Sequence, residues 1–130
     1  MEKRSLNILI VEDQAEKTAL LKIGIMETFQ SPSILIKNSL PDAEEALRQN
    51  SFDLILLDGD LNGHHGEDLI PVIRQTQQDC VIAACSDREQ KNKEMMEAGA
   101  DIVTEKDFAN VQFADIRKKL FELVMKTTTA

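Results

Sequence analysis

Cysteine is scarce in this chain, and the two present, Cys80 and Cys85, bracket a single apolar run. Two cysteines on one expected strand supply no disulfide framework, and such usage suits a reducing compartment. Positive charge is also short. Lys and Arg number 15 against 23 acids, the formal net charge is -8, and the one basic cluster is Arg117-Lys118-Lys119. That balance argues against direct nucleic-acid binding and against an anionic membrane surface. No apolar run approaches the ~18 residues of a membrane span. Met1-Glu2-Lys3-Arg4 leads into an apolar run too short for a signal peptide. No repeat, low-complexity block or linker interrupts the chain. The expectation from these absences is one cytoplasmic domain without membrane insertion. A length of 130 residues with 42% hydrophobic content is enough for one core.

What is present is a regular alternation. The runs LNILIV (residues 6–11), ILI (34–36), LILL (54–57), CVIAAC (80–85) and DIVT (101–104) read as strands. Between them lie stretches with helical spacing. In residues 15–29, Ala19, Leu20, Ile23 and Met26 can share one face. Pro41 suits the first turn of a second helix, with Asp42, Glu44 and Glu45 near its positive end. Leu69, Ile70, Val72 and Ile73 mark a third. Ser86 and Glu89 have the spacing of a capping box for a fourth, which should stop near Gly99. Ile116, Leu120, Leu123 and Val124 give the inward face of a fifth, and residues 126–130 form a polar tail. Five βα units predict an α/β fold: a five-stranded parallel sheet with right-handed crossovers and helices on both faces.

A parallel sheet gathers the C-terminal ends of its strands on one edge, where such folds bind ligands. Glu12 and Asp13 end the first strand, Asp58 the third, and Lys106 follows the fifth. Each alone has a plainer reading, as a helix cap or a surface ion pair. Together, three carboxylates in one pocket repel unless a cation joins them, and hard oxygen ligands suit Mg²⁺. A lysine on the rim is a point charge matched to a phosphoryl oxygen. Asp58 is then the candidate nucleophile, since carboxylates form acyl-phosphates. The adjacent His64 and His65 lack a third ligand and read as a solvated loop. Met95-Met96 reads as one core and one surface residue of a helix.

The stretches ILIVEDQ, FDLILLDGDLNGHHGEDLI and EAGADIVTEKDF resemble the CheY-like receiver domains of two-component response regulators, in the family's order and spacing. The resemblance implies a flavodoxin-like strand order 2-1-3-4-5, a receiver domain over residues 5–126 with a frayed tail at 127–130, and a stand-alone, single-domain type. It implies a signalling module in a phosphorelay rather than an enzyme. A histidine kinase or phosphotransfer protein would be the donor, and the downstream protein target is unspecified. By the same resemblance Asp58 is the phosphoacceptor and Asp13 a direct Mg²⁺ ligand. Glu12 would act mostly through water, the Asp60 backbone carbonyl would complete the metal shell, and Lys106 would contact the phosphoryl group.

Four positions depart from the family pattern. Its Thr or Ser donor at the end of the fourth strand falls on Cys85, a weak donor, with Ser86 one step later. The proline after the lysine is Asp107, which disfavours a cis bond there. The aromatic switch position is Val103, and with no Tyr or Trp in the chain no ring rotation of that kind can carry a signal. Asp60 stands two residues after the phosphoacceptor, where its side chain could repel or orient water. These departures define the alternative, a degenerate receiver that acts as a phosphorylation-independent interaction module. More distant are a haloacid-dehalogenase-like DxD phosphohydrolase, which needs a longer downstream chain, and a toprim-type enzyme, whose nucleic-acid substrates the net charge opposes.

Overall fold

Three apolar runs form the centre of the molecule because all or nearly all their side chains find a dry neighbour. β1 (Asn7–Val11) is buried from Ile8 onward, and β3 (Leu54–Leu57) and β6 (Val81–Ala84) are buried throughout. This computed structural model describes residues 5–77 and 79–128. β2 (Ser33–Lys37) and β7 (Ile102–Val103) flank the three, and all neighbouring pairs are parallel, in the order β2-β1-β3-β6-β7. The short strands β4 (Asp60–Leu61) and β5 (His64–His65) form a separate antiparallel hairpin. Counting only the strands of the main sheet, this is the expected order 2-1-3-4-5.

Side chains alternate across the sheet and build two cores. Ile8, Ile10, Leu54, Leu56, Val81 and Ala83 pack with Leu21 and Ile25 of α1 (Ala15–Thr28) and with Leu120 and Val124 of α5 (Ala114–Thr128). The opposite residues, Leu9, Val11, Ile55, Leu57, Ile82 and Ala84, meet the other three helices. These are α2 (Leu40–Gln49), α3 (Ile70–Thr76, entered through a 3-10 turn at Gly66–Leu69) and α4 (Glu89–Ala98). Each wholly buried Leu or Ile contributes about 1.5–3 kcal/mol.

Three expectations need correcting. In α1 the expected inward face is the outer one: Leu20, Ile23 and Met26 are exposed and Ala19 with them, while Leu21, Gly24 and Ile25 face the sheet. Apolar residues surround this helix on nearly every side, so periodicity does not choose a face. Packing chooses it, because the Phe108 ring lies against Gly24, where any Cβ would overlap the ring. The capping box does not form. α4 starts at Glu89, and the Ser86 hydroxyl accepts from the Arg88 N–H at 3.1 Å. The Asn92 side chain holds both Ser86 backbone groups, at 2.8 and 2.9 Å, which fixes Ser86 before the helix begins. At the C-terminus α5 continues through Thr127 and Thr128, the first half of the expected tail, and residues 129–130 lie outside the described residues. Other expectations match the structure: Gly99 ends α4 at φ 119°, and Met95 is buried while Met96 is exposed.

Candidate functional site

The backbone brings four separated residues to one edge of the sheet. Glu12 and Asp13 follow β1 directly, Asp58 follows β3, and Lys106 lies three residues after the end of β7. The Asp58 N–H donates to the Val11 carbonyl at 3.0 Å, so the third strand stays in register up to the acid. Gly66 permits the turn beyond it: its N–H donates to the Gly59 carbonyl at 2.9 Å, and a Cβ there would overlap the Asp58 carbonyl.

Glu12, Asp13 and Asp58 each offer an oxygen within 4.8 Å of the others. Lys106 Nζ donates to Glu12 Oε2 at 2.8 Å and lies 3.4 Å from Asp58 Oδ1. It is buried, not a solvated rim residue. Burial raises the Glu12 carboxyl to about 7; the Lys106 hydrogen bond opposes that rise and the Asp58 charge adds to it. Burial alone would lower Lys106, but its hydrogen bond to Glu12 and the Asp58 charge raise it instead. One cation therefore serves two buried acids. Asp13 Oδ2 accepts from the Asn62 N–H at 3.0 Å, whereas Asp13 Oδ1 is buried without a partner among the described residues. An orphaned carboxylate oxygen beside two further carboxylates fits a hard divalent cation.

The strand register resolves the position opposite Asp58. Leu57 pairs with Ala84 and the Cys85 N–H donates to the Leu57 carbonyl at 3.0 Å, so Cys85 stands next to Asp58. Burial pushes its thiol up, which keeps it protonated. Ser86 stands one residue further on, its backbone held by Asn92 and its hydroxyl oxygen accepting from the Arg88 N–H. Asp60 has its side chain in a two-point bridge with Arg88, Oδ2 to Nε at 3.1 Å and Oδ1 to Nη2 at 2.7 Å. This contact holds the Asp60 carboxyl below its ordinary value. The Lys106–Asp107 bond is trans.

Several residues around the site were not legible in the sequence. Asp87 pairs with Lys17 of α1 and lies 3.9 Å from Lys106. Asn62, at φ 50°, positions Asp13 through its backbone. Lys91 is buried against Gly59 and bridges Glu67 at 2.9 Å, with His65 Nδ1 at 2.8 Å. The expected histidine loop is thus strand β5, and His65 contacts a lysine. Charged residues on a loop and a polar helix carry no periodic signal, and only the fold brings them to the site.

The response regulator receiver domain family matches residues 8–118. Comparison with curated protein sequences finds no match. Among solved structures, a CheY-like receiver domain protein from Methanospirillum hungatei JF-1 aligns with a TM-score of 0.75 at 20% identity, covering 97% of this chain and 98% of its own. The response regulator TrrA from Thermotoga maritima, in complex with Mg²⁺ and BeF, aligns with a TM-score of 0.74 at 23% identity over 91% of this chain and 98% of its own. The phosphorylated cyanobacterial phytochrome response regulator RcpA gives 0.74 at 20% identity over 95% and 96%. With the family matched over most of its length and five parallel strands in the flavodoxin-like order, the chain belongs to the response regulator receiver domain family and is a receiver in phosphorelay signalling.

Proposed function

We propose that Asp58 is the phosphoacceptor of this receiver and that Glu12, Asp13, Asp58 and the Asp60 backbone carbonyl hold Mg²⁺ beside it. The observation that carries the proposal is the convergence of three carboxylates within 4.8 Å, with Lys106 in contact with two of them. One Asp58 oxygen forms the new P–O bond. The donor's bond to phosphorus breaks, and its electron pair leaves with the donor, an imidazole nitrogen if the donor is a histidine kinase or phosphotransfer protein. When bound, Mg²⁺ supplies positive charge to the transferred oxygens. Asp13, with one oxygen unpartnered among the described residues, has a lone pair to offer a cation. Lys106 exchanges part of its contact with Glu12 and Asp58 for a phosphoryl oxygen. Cys85 occupies the neighbouring strand end, where its thiol donates weakly to the same group.

Incubation with Mg²⁺ and a small phosphodonor, read by intact mass, tests the assignment. Wild type should gain one phosphoryl group. Asp58→Asn should gain none, because an amide cannot form the acyl-phosphate. Lys106→Ala should still be labelled, since nucleophile and metal ligands remain, but should lose any response coupled to the lysine. Labelling of Asp58→Asn would overturn the assignment, and wild type unlabelled by any donor would favour a phosphorylation-independent interaction module.

A further inference from the structure

Outside the acid cluster two buried polar atoms have no partner among the described residues, Glu67 Oε1 and the Thr104 hydroxyl, and Glu67 is held by Lys91 through its other oxygen. Thr104 is 1% exposed, and its hydroxyl has no hydrogen-bond partner among the described residues. Such a hydroxyl costs stability that an isosteric valine would not. Its place in the sheet suggests why a hydroxyl is there. The Thr104 N–H donates to the Ala84 carbonyl at 2.9 Å, which extends the rung joining Ala84 to Val103 and sets Thr104 beside Cys85. Cys85 in turn stands beside Asp58. Alternation puts all three on the face of Leu56, Ala83 and Ile102, which pack together with α1 and α5. Neighbouring strands are about 4.8 Å apart, so Thr104 lies roughly 10 Å from Asp58, too far for direct contact with a group on that acid. Cys85 lies between them, on the intervening strand end.

We propose that Thr104 is a positioning residue for the phosphorylated state: its hydroxyl donates to the Cys85 sulfur when the Cys85 thiol turns to donate to a phosphoryl oxygen on Asp58. The inference rests on Asp58 being the phosphoacceptor. A thiol is a weak donor, and accepting a hydrogen bond polarises its S–H and strengthens it. No proton changes owner. The hydroxyl lacks a partner among the described residues here and gains one in the other state, so the difference favours the phosphorylated arrangement. A chain from Asp58 through Cys85 to Thr104 would couple the site to the last strand without an aromatic ring.

The test pairs thermal melting with the affinity for beryllofluoride in Mg²⁺, followed by NMR. Thr104→Val should raise the melting temperature by roughly 3 °C, because an orphaned hydroxyl is removed. The same variant should bind the mimic about three- to tenfold more weakly, the equivalent of one neutral hydrogen bond. Thr104→Ser, which keeps the hydroxyl, should bind within about twofold of wild type. In a Cys85→Ala background Thr104→Val should leave affinity unchanged, since the sulfur that couples them is gone. A Thr104→Val protein that melts lower and binds the mimic normally would overturn the proposal, as would equal weakening with and without the sulfur. Wild type that fails to bind the mimic would remove the phosphoacceptor reading itself. Normal wild-type binding with an indifferent Thr104→Val would remove this inference alone.

Discussion

The two ends of the sheet treat buried polarity in opposite ways. Where the strands begin, Gln77 is buried and fully partnered: Oε1 accepts from the Phe52 N–H at 2.9 Å, and Nε2 donates to the Leu47 and Asn50 carbonyls at 3.0 and 2.8 Å. Nearby, Asp53 Oδ2 accepts from the Asn7 N–H at 2.8 Å. Where the strands end, Glu12 is pushed to about 7, one lysine serves two acids, and Asp13 Oδ1 and the Thr104 hydroxyl have no partner among the described residues. A neutral amide whose needs are met by backbone is a brace. A cluster of like charges that one lysine only partly satisfies is suited to a cation. Polarity and burial are similar at the two ends, and the degree of satisfaction tells structure from function.

The sharpest way to break this contrast is to remove the brace. Gln77→Leu would leave the Phe52 N–H and the Leu47 carbonyl unpaired in the interior and break the part-buried bond to the Asn50 carbonyl, and should cost about 3 kcal/mol in urea unfolding. A loss near zero would mean the amide does not brace the fold. The second test uses pH. The folded Glu12 carboxyl releases its proton near 7 and the unfolded one near 4.5, so the folded state binds more protons between those values. This contribution is fully present below pH 4.5 and is lost as pH rises to about 7, amounting to no more than about 3 kcal/mol. Glu12→Gln should flatten that slope in melts across the same window. A slope unchanged by the substitution would show that Glu12 does not carry the strain.

The remaining tests are smaller. Saturating Mg²⁺ should raise the melting temperature of wild type above pH 7, by a stabilisation of about 1–3 kcal/mol through mass action. Asp13→Asn should lose most of this gain while being at least as stable as wild type without metal, because a repelling charge is gone. A wild-type melting temperature indifferent to Mg²⁺ would count against a metal site. Smallest of all, Arg88→Ala breaks an exposed two-point bridge to Asp60 and should leave stability unchanged within error. Measurable destabilisation there would mean the bridge anchors the loop after Asp58.

The expected route of signalling also follows from the site's edge. Val103 is half-buried and has no polar tip. The loop after Cys85 is held to α4 by Asn92, and α4 is held to the hairpin and 3-10 turn by Lys91. Amide exchange with and without beryllofluoride should therefore show protection changes at residues 87–95. Changes confined to α2 would defeat that route.

The amino-acid sequence by itself was enough for the five βα units and for the placing of Glu12, Asp13, Asp58 and Lys106 at one edge, while the order of the strands came from the resemblance to receiver domains. It could do so because short branched apolar runs ending in acids are local signals, and parallel topology turns shared position along a strand into proximity. Tertiary structure alone decided the rest. The buried face of α1 depended on the Phe108 ring meeting Gly24, since the helix is apolar on nearly all sides. The position beside Asp58 went to Cys85 because the ladder pairs Leu57 with Ala84, while Asn92 drew Ser86 into the loop. Lys106 proved buried between two acids, and Asp87, Arg88 and Lys91 reached the site's margin, through contacts 19 to 94 residues apart in the chain. Charge pairing over such separations has no period in sequence. It exists only once packing has removed water and set each partner within hydrogen-bond reach.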